Sequence, residues 1–124
     1  MREILFRGQN KYCSSWIVGY YYEKNGIVKI KNDYQDLEID AETVGQYTGL
    51  CDKNGTKIFE GDILSCQVYT NIDERENYSV YFDNGMFFFK DPKEPMSIIL
   101  IENVKFFDCE VIGNIYDNYE LLEE

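Results

Sequence analysis

The chain has 124 residues, enough for one domain, or one domain with a small appendage, and enough to bury a core without covalent staples. It contains 0 His, which excludes Ser-His-Asp and Cys-His catalysis, histidine general bases and every His-ligated metal site. With 23 acidic against 12 basic residues, its net charge of −11 opposes direct binding to phosphate backbones and anionic membrane surfaces, and keeps a chain with 11 Tyr, 8 Phe and 1 Trp in solution.

In chain order, Met1 to Gly8 has no apolar signal core, and Arg2 to Arg7 reads as a short opening strand. Trp16 to Tyr22 and Ile27 to Ile30 flank Asn25-Gly26, a pair that tolerates the positive φ of a tight hairpin. Asp36 to Glu42 alternates acid with apolar, so an extended chain would line four carboxylates along one face. A divalent cation needs oxygens converging from several directions, which one strand face does not offer. The stretch therefore reads as the solvated face of an edge strand, charged against aggregation.

Gly45 and Gly49 bracket Gln46-Tyr47-Thr48 and read as loop. Placing Gly55 at the invariant glycine of an EF-hand puts Leu50 and Gly61 at the outer ligand positions, where neither side chain can ligate. No P-loop and no GxGxxG is present. Gly45, Gly49, Gly55 and Gly61 instead predict a succession of tight turns, anchored by Tyr47 and Phe59. Asp52, before Asn54-Gly55, and Asp62, after Gly61, stand where a carboxylate accepts backbone N–H groups.

Further strands are predicted at Gly61 to Thr70, Ile98 to Ile101 and Cys109 to Tyr116. Tyr78 to Phe82 and Met86 to Lys90 pair around Asn84-Gly85. Asp91 to Pro95 is loop, and Asn118 to Glu124 a short helical turn with Leu121 and Leu122 packing inward. The apolar strand faces predict a core of Leu64, Cys66, Val68, Val80, Phe82, Phe87, Val111 and Ile115. Cys13, Cys51, Cys66 and Cys109 form no CxxC motif; they fit reduced thiols of a cytoplasmic chain, with Cys66 and Cys109 as small core residues. No run of about 18 apolar residues offers a membrane span.

The runs Tyr20-Tyr21-Tyr22 and Phe87-Phe88-Phe89 load both faces of a sheet with aromatics. Base stacking would need interleaved Lys or Arg, and Lys90 stands nearly alone beside them. Burial, or contact in a homo-oligomer through Tyr20, Tyr21, Tyr22, Met86 and Phe88, is the expectation.

The block Thr43 to Leu50, then Asp52-Lys53-Asn54-Gly55, then Ile58-Phe59-Glu60-Gly61-Asp62-Ile63 resembles the signature of the YopX family, small proteins found largely in phages and prophages of bacteria. Arg2-Glu3-Ile4 with Phe6-Arg7-Gly8 is similar to the family's opening, and Trp16, Val18, Gly19 and Tyr20 to its next strand. Ile112 to Asn118 with Glu120-Leu121-Leu122 is similar to its close. The pattern is departed from at Cys51 and in the variable stretch Thr70 to Tyr78, expected as loop. The succession of short strands and turn signals reads as a mainly β chain with little helix, and the resemblance implies an N-terminal β-rich segment, 1–47, and a C-terminal SH3-type small barrel, 48–124. Gly45, Tyr47, Gly49, Asp52, Gly55, Gly61, Asp62, Gly113 and Tyr116 are its structural signature, and it supplies no activity, catalytic residue, metal or cofactor. The expected function is that of a non-enzymatic interaction module encoded by a phage or prophage. Its expected partners, in the host cytoplasm, are itself, as a homo-oligomer, and a host or phage protein. Two readings stand beside it: a metal-dependent hydrolase using Asp52, Glu60 and Asp62, and an acidic mimic of nucleic acid that occupies a host protein.

Overall fold

Asn25 and Gly26 both adopt positive φ, 53° and 78°, the conformation a two-residue hairpin demands. The turn joins β2 (Trp16–Lys24) to β3 (Ile27–Lys31), with Lys24 opposite Ile27 and Tyr20 opposite Lys31. The structure, a computed structural model, describes residues 3–67, 74–94 and 96–123, and divides into two compact units, 1–49 and 50–124.

In the first unit, β1 (Phe6–Gln9), β4 (Asp36–Glu38) and β5 (Gly45–Cys51) join that hairpin in the antiparallel order β4-β3-β2-β1-β5. Ile17, Ile30 and Ile39 are buried together, with Phe6, Val28, Leu37 and Val44 packed against them. At Gly19 in β2 a Cβ would run into the backbone carbonyl of Lys31. The opening strand starts at Phe6; Arg2 lies outside the described residues.

The acidic stretch is extended only over Asp36–Glu38, at the sheet edge as expected, so four carboxylates do not share a strand face. Asp40 leaves the strand to cap a single 3-10 turn, Ala41–Thr43, accepting from Glu42 N at 3.2 Å. Gly45–Cys51 is a strand and not a loop. Its ladder with β1 places Phe6 opposite Gln46 and Arg7 opposite Gly45, and this tertiary pairing overrides the local preference of glycine.

In the second unit, β6 (Lys57–Phe59) returns alongside the end of β5. Next come β7 (Asp62–Cys66), β8 (Glu76–Asp83), β9 (Met86–Lys90), β10 (Ile99–Leu100) and β11 (Glu110–Asn114). Their order is β10-β9-β8-β7-β11, all antiparallel: a meander whose last strand returns beside the first. Among the described residues this sheet does not close into a barrel, because β10 and β11 are both edges. Of the expected loop over Thr70 to Tyr78, residues 70–73 lie outside the described residues, and Glu76 to Tyr78 belong to β8.

The core gathers Ile58, Leu64, Cys66, Tyr78, Val80, Phe87, Phe89, Ile101, Val104 and Cys109. Leu64, Cys66, Val80 and Phe87 are thus buried as expected, while Val111 and Ile115 are half-buried. Val68 and the end of the strand predicted over Gly61 to Thr70 lie outside the described residues, as does Pro95. Phe82 corrects the expectation: it lies on the core side of its strand but next to the hairpin turn, and stays 44% exposed while its ring leans on Phe87 at 4.7 Å. The C-terminal turn is 3-10, Tyr119–Leu122, with Leu122 buried; Leu121 O accepts from Asn77 Nδ2 at 2.8 Å, fixing the turn to β8.

Candidate functional site

Asp52 follows β5 directly and is buried. Its Oδ1 accepts from Asn54 N at 2.8 Å and Thr56 N at 2.9 Å, closing the turn in which Gly55 takes φ 82°. Its Oδ2 accepts from Val111 N at 2.8 Å, tying that turn to β11. Three N–H donors offset much of the cost of burying a carboxylate. Asp62, also buried, accepts from Phe59 N at 2.7 Å across the bend where Gly61 takes φ 90°. The bend is held further by Gly61 N on Val80 O and Ile115 N on Gly61 O, both at 2.9 Å.

The other signature residues are also engaged locally. Gly45 is buried in β5, Tyr47 is buried with its backbone N–H on Leu5 O at 2.8 Å, and Gly49 takes φ 91° within the strand. Gly113 sits where β11 shifts register against β7, and a Cβ there would collide with the Asn118 side chain. Asn118 Oδ1 accepts from Asn114 N at 3.2 Å, and Asn114 Oδ1 from Tyr116 N at 2.9 Å. The Tyr116 ring itself is exposed. Glu60 is half-buried between β6 and β7. Among the described residues no group of three or more His, Cys, Asp or Glu side chains is placed to hold a metal ion.

The aromatic candidates separate. Tyr20 is 63% exposed, Tyr21 less so, and Met86 is also exposed. Tyr22 is half-buried: Lys29 and Lys31 stand over its ring at 5.8 and 5.6 Å, and its hydroxyl donates to Asp36 at 2.6 Å. The Tyr22 hydroxyl and the Lys29 ammonium together hold the Asp36 carboxyl below its ordinary range. Phe88 is not available as an interface residue. It is buried and stacked on Tyr81 at 5.5 Å, although it points to the face of β9 opposite Phe87 and Phe89.

A stronger apolar surface lies along the edge strand β10. Ile98, Ile99, Leu100, Asn103, Phe106 and Phe107 line a groove of about 440 Å³ without one charged side chain. Phe106 at its rim is 80% exposed and packs edge-on to Phe107, centroids 4.9 Å apart. The sequence carries a signal for this groove, the apolar run Ile98 to Ile101 followed by Phe106-Phe107. Reading that run as one more buried strand hides it.

A family model described as YopX protein matches residues 5–123. The chain belongs to the YopX family. No curated protein matches this YopX-family chain. Among solved structures it is similar to protein EF1440 from Enterococcus faecalis, at 25% identity and TM-score 0.64, over 99% of this chain and 100% of that one. The signature carboxylates Asp52 and Asp62 hold turns together, Asp52 with both oxygens on backbone N–H groups and Asp62 with Oδ2 on Phe59 N.

Proposed function

We propose that this YopX-family chain is a non-enzymatic protein-interaction module that works as a homo-oligomer, encoded by a phage or prophage and acting in the bacterial cytoplasm. The observation that carries this reading is the uncharged groove beside β10. An edge strand presents unpaired N–H and C=O groups, and here they lie next to apolar side chains able to seat a partner strand. A second copy is the occupant that fits. Two chains of net charge −11 repel over most of their surfaces, and an uncharged strip is where they can approach. The test is the oligomeric state of the wild type beside Phe106→Asp.

The second unit reads best as an SH3-type barrel left open. In support, its strands β7 to β11 run as a meander with the last returned beside the first, and the 3-10 turn Ile101–Asn103 lies between β10 and β11. Such a small barrel is a scaffold, and its function resides in the surface it presents. The hydrolase reading is less well supported. Asp52 spends both carboxylate oxygens on three N–H groups and Asp62 spends one on Phe59 N, so a metal would have to displace bonds that hold the turns.

A further inference from the structure

We propose that Cys66 and Cys109 form a dithiol site, reduced in the resting cytoplasm, that closes under oxidative conditions to an intramolecular disulfide clasping β7 to the start of β11, with a small-molecule disulfide such as oxidised glutathione as the oxidant.

The two sulfur atoms stand 2.7 Å apart, both side chains fully buried. That is closer than ordinary heavy-atom van der Waals contact, roughly 3.5–4.0 Å, and needs only a small further approach to reach the disulfide bond length of about 2.05 Å. The ladder between β7 and β11 sets this up. Glu110 faces Ser65 and Val111 faces Leu64, so one step further along the ladder Cys109 faces Cys66. The backbone groups of Cys109 are committed elsewhere, its N–H to Val104 O at 2.9 Å and its carbonyl to Lys53 N at 3.2 Å. The pair is thus of the kind that exchanges no backbone bonds. Such pairs bring Cα atoms to roughly 4.5 Å, inside the disulfide range of roughly 4.4–6.8 Å.

Arg75 fixes the two flanks. Its guanidinium donates to Ser65 Oγ at 2.8 Å and Ser65 O at 2.7 Å on one side, and to Asp108 O at 2.6 Å and Asp108 Oδ2 at 3.1 Å on the other. Ser65 and Asp108 are the immediate neighbours of Cys66 and Cys109. Lys53 Nζ adds a contact to Asp108 Oδ2 at 3.3 Å. One cation therefore braces both strands beside the sulfurs.

A metal is not what this pair would take. Two sulfurs sharing one zinc ion at about 2.3 Å each in tetrahedral geometry stand well beyond the observed separation. No third Cys, nor any Asp or Glu, completes a ligand set among the described residues.

The chemistry balances without a further reagent. One thiolate attacks the glutathione disulfide, releasing a glutathione thiolate and leaving a mixed disulfide. The second cysteine, deprotonated, displaces the bound glutathione and forms the Cys66–Cys109 bond. Two cysteine thiols are oxidised, one disulfide is reduced to two glutathione thiols, and the protons pass with them. The neighbouring Cys109 sulfur and burial both push the Cys66 thiol far up, so in the closed core Cys66 stays protonated and reacts slowly. Oxidation proceeds while the unit folds or when β11 opens locally.

The test uses the full-length chain with Cys13→Ser and Cys51→Ser, which removes the exposed and half-buried thiols and leaves the buried pair. The chain is refolded from denaturant in a buffer of oxidised and reduced glutathione, and its thiols and non-reduced peptide map are read by mass spectrometry. The expected result is complete loss of free thiol, a peptide linking Cys66 to Cys109, and a Tm raised by roughly 10 °C, reversed by reductant. In the unsubstituted chain the same link is expected, with Cys13 and Cys51 free or carrying glutathione. Adding Arg75→Ala should slow ring closure of the mixed disulfide several-fold without abolishing it. Free thiols at Cys66 and Cys109 after refolding, retained glutathione on either one, or preferred pairing with Cys13 or Cys51 in the unsubstituted chain would each overturn the proposal.

Discussion

Replacing Asp52 by Asn keeps the side chain's size and turns one acceptor into a donor. Whichever way the amide lies, an –NH2 group then faces a backbone N–H that Asp52 now satisfies, that of Asn54 and Thr56 or that of Val111. Asp52→Asn is expected to lose about 2 kcal/mol in urea denaturation, and Asp62→Asn, which weakens the charge-assisted bond from Phe59 N, about 1 kcal/mol. Unchanged stability in both variants would return these carboxylates to the list of candidate ligands. Their turn-holding role is legible in the sequence, because Asp52 is two residues from Asn54-Gly55. The bond to Val111 is not, since it spans a separation of 59 residues that only the fold closes. Asp108 offers a pH signature. Hydrogen bonds from Arg75 and Lys53 lower its carboxyl, so the pairing contributes above the unfolded value and is lost as pH falls through the folded one. In an NMR titration Arg75→Ala should move the Asp108 midpoint back up towards the ordinary aspartate value. An unmoved midpoint would contradict the pairing.

At the scale of elements, the hairpins are legible because Asn-Gly states its own backbone conformation. Gly26 takes φ 78° with open space where a Cβ would go, so Gly26→Ala meets only backbone strain and should cost about 1 kcal/mol. Gly19 is the opposite case: a Cβ there meets the carbonyl of Lys31, and Gly19→Ala must push β2 off β3. Denaturation curves should therefore rank Gly19→Ala well below Gly26→Ala, and equal losses would contradict the register described for β2 and β3. The strand β5 is where sequence reasoning failed, since Gly45 and Gly49 argue locally for loop. What makes Gly45 strand is β1, whose position beside β5 no local pattern announces. The edge position of β10 is hidden for the same reason: two apolar residues read alike in a central strand and at a rim.

For the whole molecule, the composition carried two lessons of unequal reach. Absence of histidine and net charge −11 narrow the chemistry and the partners, and both are visible before any folding. Where the excess aromatic surface goes is not. Phe88, expected outside, is buried against Tyr81, whereas Phe106, given no role by its sequence position, is the most exposed ring of the β10 groove. The account rests on that groove seating a second copy. Light scattering on size-separated protein at micromolar concentration tests it most directly, with wild type and Phe106→Asp side by side. The account predicts a dimer or larger assembly for the wild type, and a monomer with an unchanged circular dichroism spectrum for Phe106→Asp. A wild-type chain that is monomeric at these concentrations would contradict it.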